Sequence, residues 1–389
     1  MNKVRLGLIG IGNMGGDYVK KHCHANPEKF ELTAICDIKQ ERIDAAREIL
    51  GKPDFPAFLN SDDLINSGLV DAVIIATPHY DHPKIAIKAF EAGLHVLSEK
   101  PIGVYTKIVR EEMEAAERSG KIFGVMYNQR TTPSYRKLRE MIQSGELGEM
   151  KRAVWYATGW YRTQAYYDSG DWRATWAGEG GGVLLNQCPH HLDLMQWLCG
   201  VPKRVHASAY YGKYHDIEVE DDVTAFFEYE NGATGLFITT TGEWPGATRF
   251  EFTGTKGTVI AEAHKLTITR AIDDTDVFLK ESDGGFAKPR LAEPEVIEFP
   301  GAKGHPEVLE NFVDAILYGT PLLSPGNEGI NGLTVSNAIH LSSWTNDWVD
   351  VPFDEDKFYN MLQEKINNST IVKKAATGKV EDLSNTYGN

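Results

Sequence analysis

The feature that most constrains the fold is a glycine pattern directly behind the first apolar run. The run "VRLGLIG" begins at Val4, and Gly10, Gly12 and Gly15 follow with the spacing G-x-G-x-x-G. In a strand–turn–helix unit, the first glycine permits a tight turn and the second lets a pyrophosphate approach the backbone. The third lets helix and strand pack closely. The position of the pattern predicts a dinucleotide-binding turn, in which Asn13 and Met14 also contact the cofactor.

A carboxylate at the end of the second apolar run predicts which dinucleotide binds. Asp37 closes the run "FELTAICD" and lies 22 residues beyond Gly15. A carboxylate there accepts hydrogen bonds from the ribose 2′-hydroxyl and repels a 2′-phosphate, which favours NAD over NADP. Lys39 and Arg42 follow closely and would weaken this preference, so NADP remains an alternative.

The order of apolar and amphipathic segments predicts two domains in a chain of 389 residues. Up to residue 127, continuous apolar runs alternate with helical patterns, which is typical of a parallel sheet covered on both faces. Beyond it come longer alternating runs, with a hairpin predicted at "ENGAT". We therefore predict an α/β protein. Its parts are a doubly wound Rossmann domain (1–127), an α+β domain with a large, mostly antiparallel open sheet (128–353), and a C-terminal helix and polar tail (354–389).

Helical patterns are expected at about Met14 onward, Glu41–Leu50, Pro83–Ala92, Tyr105–Ser119, Pro133–Gln143, His305–Tyr318 and Glu328–Trp348.

Composition excludes several classes of partner. Acidic residues outnumber basic ones 55 to 40, for a net charge of -15, which argues against nucleic acid and anionic membranes. No apolar run approaches the roughly 20 residues that span a bilayer. The chain opens on a strand pattern, which leaves no room for a cleavable signal. The four cysteines have neither metal-site spacing nor a disulfide-rich context. A cytoplasmic protein with reduced thiols is expected.

Two further segments lie where the parallel strands end, the edge at which ligands bind in such sheets. "EKP" follows the fifth strand, and Lys100 there carries a positive charge suited to holding a substrate hydroxyl. "ATPHYDH" follows the fourth strand, and a histidine there either contacts the cofactor or fixes the loop. The expected cofactor contacts on these segments are Thr77, Pro78, His79, His82, Glu99 and Lys100.

The segment "GGGVLLNQCPHHLD" carries two adjacent histidines at a predicted helix start. With Pro189 in the first turn, His190 lies on one helix face with Asp193, and His191 points about 100° away. The positive end of the helix dipole would lower the pKa of His190, leaving the ring neutral and able to accept a proton. His191 is expected to pack or to face solvent.

Together these residues resemble the Gfo/Idh/MocA oxidoreductases, which include inositol, glucose–fructose and many sugar dehydrogenases. The resemblance rests on "GLIGIGNMG", "ATPHYDH", "GLHVLSEKP" and "GGGVLLNQCPHHLD" in that order, and it covers nearly the whole chain. It implies hydride transfer between a nicotinamide and a secondary hydroxyl of a sugar or cyclitol. It also implies a homo-oligomer, dimer or tetramer, formed through the open sheet of the second domain.

The resemblance also implies roles for individual residues. Lys100 matches the lysine that binds substrate beside the nicotinamide, and His190 matches the general acid/base. Where the family often has an aspartate, this chain has Asn186, which orients a hydroxyl but holds neither proton nor charge. Asn186 and Asp193 are expected near the substrate, Asp193 in a supporting or purely structural role.

Three further residues are candidates for a sugar pocket: Arg130, Arg162 and Trp172. Arginines donate to hydroxyl groups and aromatic rings stack on pyranose faces. No metal is expected, because His79, Asp81, His82 and His190 match no metal-binding spacing.

Two alternatives stay open. In one, NAD oxidises a sugar only transiently, and the net reaction is glycoside cleavage or epimerisation. In the other, the protein senses sugar and NAD without catalysis.

Overall fold

The first domain is built on a six-stranded sheet. The computed structural model describes residues 3–371, so most of the predicted polar tail (372–389) lies outside the described residues. Within the first sheet all strands are parallel, in the order β3-β2-β1-β4-β5-β6. The strands are β1 (Val4–Ile9), β2 (Phe30–Cys36), β3 (Ala57–Phe58), β4 (Ala72–Ile75), β5 (His95–Ser98) and β6 (Phe123–Val125).

Helices connect these strands. They are α1 (Asn13–Lys20), α2 (Gln40–Leu50), α3 (Ser61–Ile65), α4 (Asp81–Glu91) and α5 (Thr106–Ser119). The third of them was not predicted, and the other four have bounds within a few residues of the predicted ones. The strand order reverses between β1 and β4, and the glycine turn after β1 lies at this switch point, where doubly wound sheets bind ligands. The predicted Rossmann architecture is confirmed.

The second sheet has nine strands in the order β14-β13-β12-β11-β7-β10-β9-β8-β15. Only β7 and β10 pair in parallel, so the predicted mostly antiparallel sheet is confirmed. The "ENGAT" turn joins β9 to β10 as an antiparallel hairpin, as predicted. The strands are β7 (Met150–Ala157), β8 (Arg204–Tyr211), β9 (Glu220–Glu228), β10 (Thr234–Thr240), β11 (Thr248–Gly254), β12 (Gly257–Glu262), β13 (Lys265–Arg270), β14 (Glu295–Glu298) and β15 (Val349–Asp350).

The remaining helices are α6 (Pro133–Gln143), α7 (Gln164–Asp168), α8 (Pro189–Cys199), α9 (Thr275–Glu281), α10 (His305–Tyr318), α11 (Gly326–Thr345) and α12 (Glu355–Asn367). Helices α6 and α10 have the predicted bounds. Helix α11 ends before the predicted Trp348, because Asn346 adopts a left-handed conformation with φ 51° that closes the helix. Among residues 3–371, no helix is long and apolar enough to cross a bilayer.

Helix α10 returns the chain to the first sheet. Val308, Leu309 and Phe312 share a buried cluster with Leu6 and Leu8 of β1. Helix α11 packs against α8 and β8 of the second domain and against α5 and β6 of the first. The division at residue 127 stays a prediction, and α10, placed beyond it, contributes to the core of the first domain. These helices hold the two sheets together and place the carboxyl ends of β4 and β5 near α8.

Candidate active site

The glycine turn has the backbone geometry that its sequence predicts. Gly10 has φ +93°, and a side chain there would lie 2.5 Å from the carbonyl oxygen of Ala76. A Cβ at Gly15 would overlap the carbonyl oxygen of Gly10, so only glycine lets α1 lie this close to β1. A Cβ at Gly12 meets nothing nearer than Arg42, at 3.9 Å. The turn therefore leaves open backbone at the start of α1, which fits a bound pyrophosphate.

Asp37 organises the same turn. Its Oδ2 accepts a hydrogen bond from the backbone N–H of Ile11 at 2.7 Å, and its Oδ1 accepts one from Lys39 N–H at 2.9 Å. The guanidinium of Arg42 lies 3.4 Å from Oδ2. The carboxylate thus lies beside the open face of the turn, where the ribose of a dinucleotide is expected, with a cation next to it.

The loop after β4 is fixed by its histidines. The ring nitrogens of His82 lie 2.8 Å from the carbonyl oxygen of Pro101 and 2.7 Å from that of Thr77. This side chain therefore joins the loop after β4 to the loop after β5. His79, which is buried, lies with its Nδ1 3.0 Å from the carbonyl oxygen of Glu179 and with its ring edge-on to Trp172.

Glu99 and Lys100 directly follow β5 and have different surroundings. Glu99 Oε1 accepts a hydrogen bond from the hydroxyl of Tyr18 at 2.7 Å, and burial raises the pKa of Glu99 to about 7. The ammonium group of Lys100 donates to the backbone carbonyl of Asn186 at 2.7 Å. Burial lowers the pKa of Lys100, while the charge of Glu99 opposes that shift. This contact connects "EKP" with the segment "GGGVLLNQCPHHLD", two motifs whose proximity the sequence did not predict.

The glycine-rich segment is anchored by Glu220 of β9. Its Oε1 accepts hydrogen bonds from the N–H groups of Gly182 and Leu184, at 2.8 and 3.0 Å. A Cβ at Gly182 would overlap the backbone of Glu220, so the glycine is required for this approach. The anchored segment leads into α8 and positions Asn186 beside Lys100.

Helix α8 separates the two histidines as predicted. His191 lies edge-on between the rings of Trp155 and Trp160, with centroids 5.4 Å from each, and serves packing. His190 is also buried, faces Tyr127, and among the described residues has no hydrogen-bond partner for Nδ1. Its pKa lies well below the ordinary value, first because of burial and then because of the charge of Lys100. Burial, rather than the predicted helix dipole, is the largest cause.

Asn186 belongs to a partly buried hydrogen-bonded cluster that the sequence did not predict. Its Nδ2 donates to Glu179 Oε1, and its Oδ1 accepts from the hydroxyl of Tyr166 at 3.2 Å. That hydroxyl in turn accepts hydrogen bonds from Arg173 Nη1 at 2.8 Å and Gln187 Nε2 at 3.1 Å. In the sequence, Glu179 is recognisable as the acidic residue of "GEGGG". The prediction for this part of the chain used only its glycines and the histidines that follow.

Arg130 and Asp193 lie in a different environment from the one expected. Asp193 does not pair with His190. Instead its two carboxylate oxygens accept from Arg130 Nε and Nη2, both at 2.7 Å, and Arg130 also contacts Glu328 at 2.5 Å. The side chains of Arg130 and Asp193 are each 1% exposed. The pair ties the start of the second domain to α8 and α11, so neither residue is assigned to substrate.

The other two pocket candidates lie together around Tyr166. The guanidinium of Arg162 lies 5.2 Å from the centre of the Tyr166 ring, and that of Arg173 lies 4.7 Å from it. Arg173 also lies 4.9 Å from the ring of Trp172. Arg162 therefore flanks the Tyr166 ring of the Asn186 cluster, and Trp172 adjoins the cluster through Arg173.

A dinucleotide turn, with a lysine and a neutral histidine beside it, defines an oxidoreductase of the Rossmann class. Comparison with known families identifies the family within this class. Residues 4–127 match the oxidoreductase family with an NAD-binding Rossmann fold, and residues 135–260 match the GFO/IDH/MocA C-terminal domain. The two stretches cover more than half of the chain, which therefore belongs to the Gfo/Idh/MocA oxidoreductases, with NAD as the cofactor of its first domain.

Individual relatives agree with this assignment. The rhizopine catabolism protein MocA of Rhizobium meliloti is 27% identical over 347 residues, 87% of this chain and 94% of the relative. Glycosyl hydrolase family 109 protein 1 of Shewanella sp. (strain ANA-3) is 31% identical over 194 residues, but these span only 47% of this chain and 42% of that relative.

Among solved structures, the WlbA dehydrogenase of Bordetella pertussis, in complex with NADH and UDP-GlcNAcA, superimposes with a TM-score of 0.75. It is 26% identical, and the match covers 90% of this chain and all of that one. The likeness therefore extends over both domains rather than over the nucleotide-binding half alone.

Proposed function

We propose that the protein transfers a hydride between NAD(P) and a secondary hydroxyl or ketone of a sugar, glycoside or cyclitol. The observation that carries the proposal is the contact of Lys100 with the backbone of Asn186, one helical turn before His190. In support, the contact holds Lys100 against the segment that leads into α8, and the charge of Lys100 contributes to the lowered pKa of His190. Sugar ligands of the relatives support the substrate class: the WlbA dehydrogenase was solved with UDP-GlcNAcA.

The cofactor is held by the glycine turn, by Asp37 and by the loops after β4 and β5. The open backbone at Gly12 fits its pyrophosphate, and the carboxylate of Asp37 fits its ribose. When bound, NAD supplies the acceptor for the hydride. The residues assigned to it are Gly10, Gly12, Asn13, Met14, Gly15, Asp37, Thr77, Pro78, His79, His82, Glu99 and Lys100.

His190 acts as the general base toward the reacting hydroxyl. Because its pKa lies well below the ordinary value, the imidazole is neutral at physiological pH and can accept a proton. Lys100 retains N–H donors beyond the one given to Asn186, since an ammonium group has three. These donors orient the hydroxyl and stabilise negative charge that develops on its oxygen.

Asn186, Arg162 and Trp172 complete the substrate side. The Asn186 amide is a second group for the reacting hydroxyl, and its orientation is fixed by its neighbours. Arg162 donates to more distant hydroxyl or carboxylate groups, and the ring of Trp172 packs on the apolar face of the sugar. Arg162 forms no ion pair with a carboxylate among the described residues, which leaves its charge available to a ligand.

A substrate panel tests the proposal. The protein is mixed with NAD, and separately with NADP, and hexoses, glycosides, uronates and inositols are added in turn while absorbance of the reduced nicotinamide is recorded. We expect reduction of NAD with at least one class, and its loss in Lys100→Ala and His190→Ala. Turnover unchanged in both variants would contradict these assignments.

A second candidate function is glycoside cleavage or epimerisation through transient oxidation. The match to a glycosyl hydrolase family 109 protein favours it, although this chain spans less than half of that relative. In this case the hydride returns to the product, so glycosides would be consumed without net formation of reduced nicotinamide. Product analysis by chromatography beside the absorbance record separates the two functions.

We further propose that two copies associate through the open face of the nine-stranded sheet. Five partly exposed apolar residues lie in register across adjacent strands on this face: Val154, Tyr156, Leu236, Ile238 and Phe226. A second copy would cover this patch, since contiguous exposed apolar surface is typical of interaction sites. Light scattering should give at least twice the 43.3 kDa chain mass, and Leu236→Lys should lower it.

We also propose a cytoplasmic location. The four cysteines are free, and Cys23, Cys36 and Cys188 are buried, which is typical of proteins in a reducing compartment. Cell fractionation with an antibody against the protein tests this directly, and recovery outside the cytoplasm would contradict it.

A further inference from the structure

Glu179 is a buried carboxylate at the centre of the proposed site, and neither the motifs nor the proposed mechanism gives it a role. Its side chain lies between two donors: the backbone N–H of Ala174 at 2.6 Å from Oε2, and the amide Nδ2 of Asn186 at Oε1. Glu179 is 1% exposed. The backbone carbonyl oxygen of the same residue lies 3.0 Å from His79 Nδ1.

The two contacts favour the ionised form of Glu179. Both of its oxygens face N–H donors, an arrangement that suits an ionised carboxylate, since a protonated one would carry a hydrogen on one of them. Burial raises the pKa of Glu179, and the charge of Arg173 and the two hydrogen bonds oppose that shift. Besides Glu99, the site therefore keeps a second carboxylate whose charge acts on Lys100, although position 186 itself carries a neutral amide.

The orientation of Asn186 is complementary to a carboxylate at Glu179. An asparagine amide can be turned either way, but only its NH₂ end can face an acceptor such as Glu179. Its carbonyl oxygen then faces the hydroxyl of Tyr166, which donates to it at 3.2 Å. The second amide hydrogen and the second lone pair of the carbonyl oxygen remain for a substrate hydroxyl.

We propose that Glu179 is the positioning residue of this site: it orients the Asn186 amide toward substrate and supplies the negative charge that Asn186 lacks. The proposal rests on the proposed function, because the group being oriented is assigned to the reacting hydroxyl. It predicts that residues 179 and 186 work as one amide–carboxylate pair whose two members can be exchanged.

Hydrogen-bond complementarity makes the exchange testable. In Glu179→Gln, the new amide can accept from Ala174 N–H with its oxygen, and its NH₂ end then faces Asn186. The Asn186 amide must turn over to accept from it, which directs the NH₂ end of Asn186 at the Tyr166 hydroxyl. In Asn186→Asp, two carboxylates meet in a buried space. In the double variant, the amide introduced by Glu179→Gln can accept from Ala174 with its oxygen and donate to the carboxylate introduced by Asn186→Asp. The other oxygen of that carboxylate accepts from Tyr166, so every contact is restored.

The experiment compares the full-length wild type, both single variants and the double variant by steady-state kinetics with NAD and the substrate identified in the panel. We expect each single variant to lose about 10-fold or more in kcat with little change in the KM for NAD, and the double variant to regain most of that loss. Glu218→Gln is the matched control. Glu218 accepts from the neighbouring Trp176 N–H at 2.8 Å but does not contact Asn186, and kcat should be unchanged.

Thermal unfolding of the same proteins keeps failure of the proposal distinct from failure of the proposed function. If no substrate is oxidised, the proposal of NAD-dependent hydride transfer is refuted on its own. The Glu179–Asn186 pair is then tested by whether the losses of thermal stability in the two single variants cancel in the double variant. Losses in kcat that add in the double variant overturn the proposal. So does an Asn186→Asp variant with wild-type kcat, or a stability coupling without rescue of kcat in an active enzyme.

Discussion

The ammonium group of Lys100 donates a hydrogen bond to the backbone carbonyl of Asn186 at 2.7 Å. The two residues are 86 positions apart and lie in different domains. Lys100 lies two residues beyond the end of β5 in the parallel sheet, and Asn186 precedes α8 of the second domain. Any ligand held by both must lie at the junction of the domains, where doubly wound sheets bind their ligands.

Replacement of His190 should affect the chemical step and not cofactor binding. We expect His190→Ala to lower kcat by about 10²- to 10⁴-fold, because removal of a general base costs that much. NAD affinity, measured by fluorescence titration, should stay within about twofold, because His190 is not among the residues assigned to the cofactor. His191→Gln is the control: it should lower the melting temperature through lost packing against Trp155 and Trp160 while kcat persists. Equal kcat losses in both variants would contradict the distinction.

Asp37 should control the choice between NAD and NADP. Asp37→Ser removes the carboxylate that faces the ribose position and leaves Arg42, 3.4 Å away, free to bind a 2′-phosphate. We expect the ratio of kcat/KM for NADP over NAD to rise by about 10-fold. Adding Arg42→Ala to this variant should remove the gain. An unchanged ratio in Asp37→Ser would show that Asp37 only supports the turn through Ile11.

Glu99 should make stability depend on pH near neutrality. The pKa of Glu99 is raised from 4.5 to about 7 by burial, so the folded protein holds this proton more tightly than the unfolded chain. Its contribution to stability is fully present below the unfolded pKa and is lost as the pH rises through about 7. Relative to Glu99→Gln, the wild type should lose about 2–3 kcal/mol of unfolding free energy between about pH 5 and about pH 8. Chemical denaturation measures this, and parallel pH dependences would contradict it.

Arg130 and Asp193 should behave as a structural pair. Arg130→Met leaves a buried carboxylate without its main partner, which typically costs about 3–5 kcal/mol. Arg130→Met with Asp193→Leu removes both charges and should recover part of that loss in chemical denaturation. A stable single variant with a raised KM for sugar would instead support the substrate contact first expected from the sequence.

The fold was predictable because its local signals agree. The glycine turn, the alternation of strands with helices, and the "ENGAT" hairpin each specify local geometry that depends on few distant contacts. The end of α11 was not predictable, since Asn346 gives only a weak signal for the left-handed conformation that it adopts. The packing of α10 on the first sheet was not predictable for a different reason. The apolar face of a helix does not indicate which of two sheets it covers.

In the site, the sequence identified single residues better than their partners. Lys100 and His190 were found from position and resemblance. Asp193 was expected beside His190 because both lie on one helix face, but a guanidinium from residue 130 competes for the carboxylate and binds it at two oxygens. Glu179 was missed because nothing local links it to Asn186; the contact depends on the turn between Trp172 and Gly180, where Ala174 has φ +56°.

The central claim is that this site moves a hydride between NAD and a sugar or cyclitol alcohol. The most direct test uses the panel substrate labelled with deuterium at the carbon that bears the reacting hydroxyl, followed by mass spectrometry of the nicotinamide cofactor. The account predicts deuterium in the reduced cofactor from the wild type and, over the same reaction time, about 10²- to 10⁴-fold less from His190→Ala. Binding of both NAD and sugar to the wild type without any transfer of deuterium, even to enzyme-bound cofactor, would contradict the claim and identify a sensor instead.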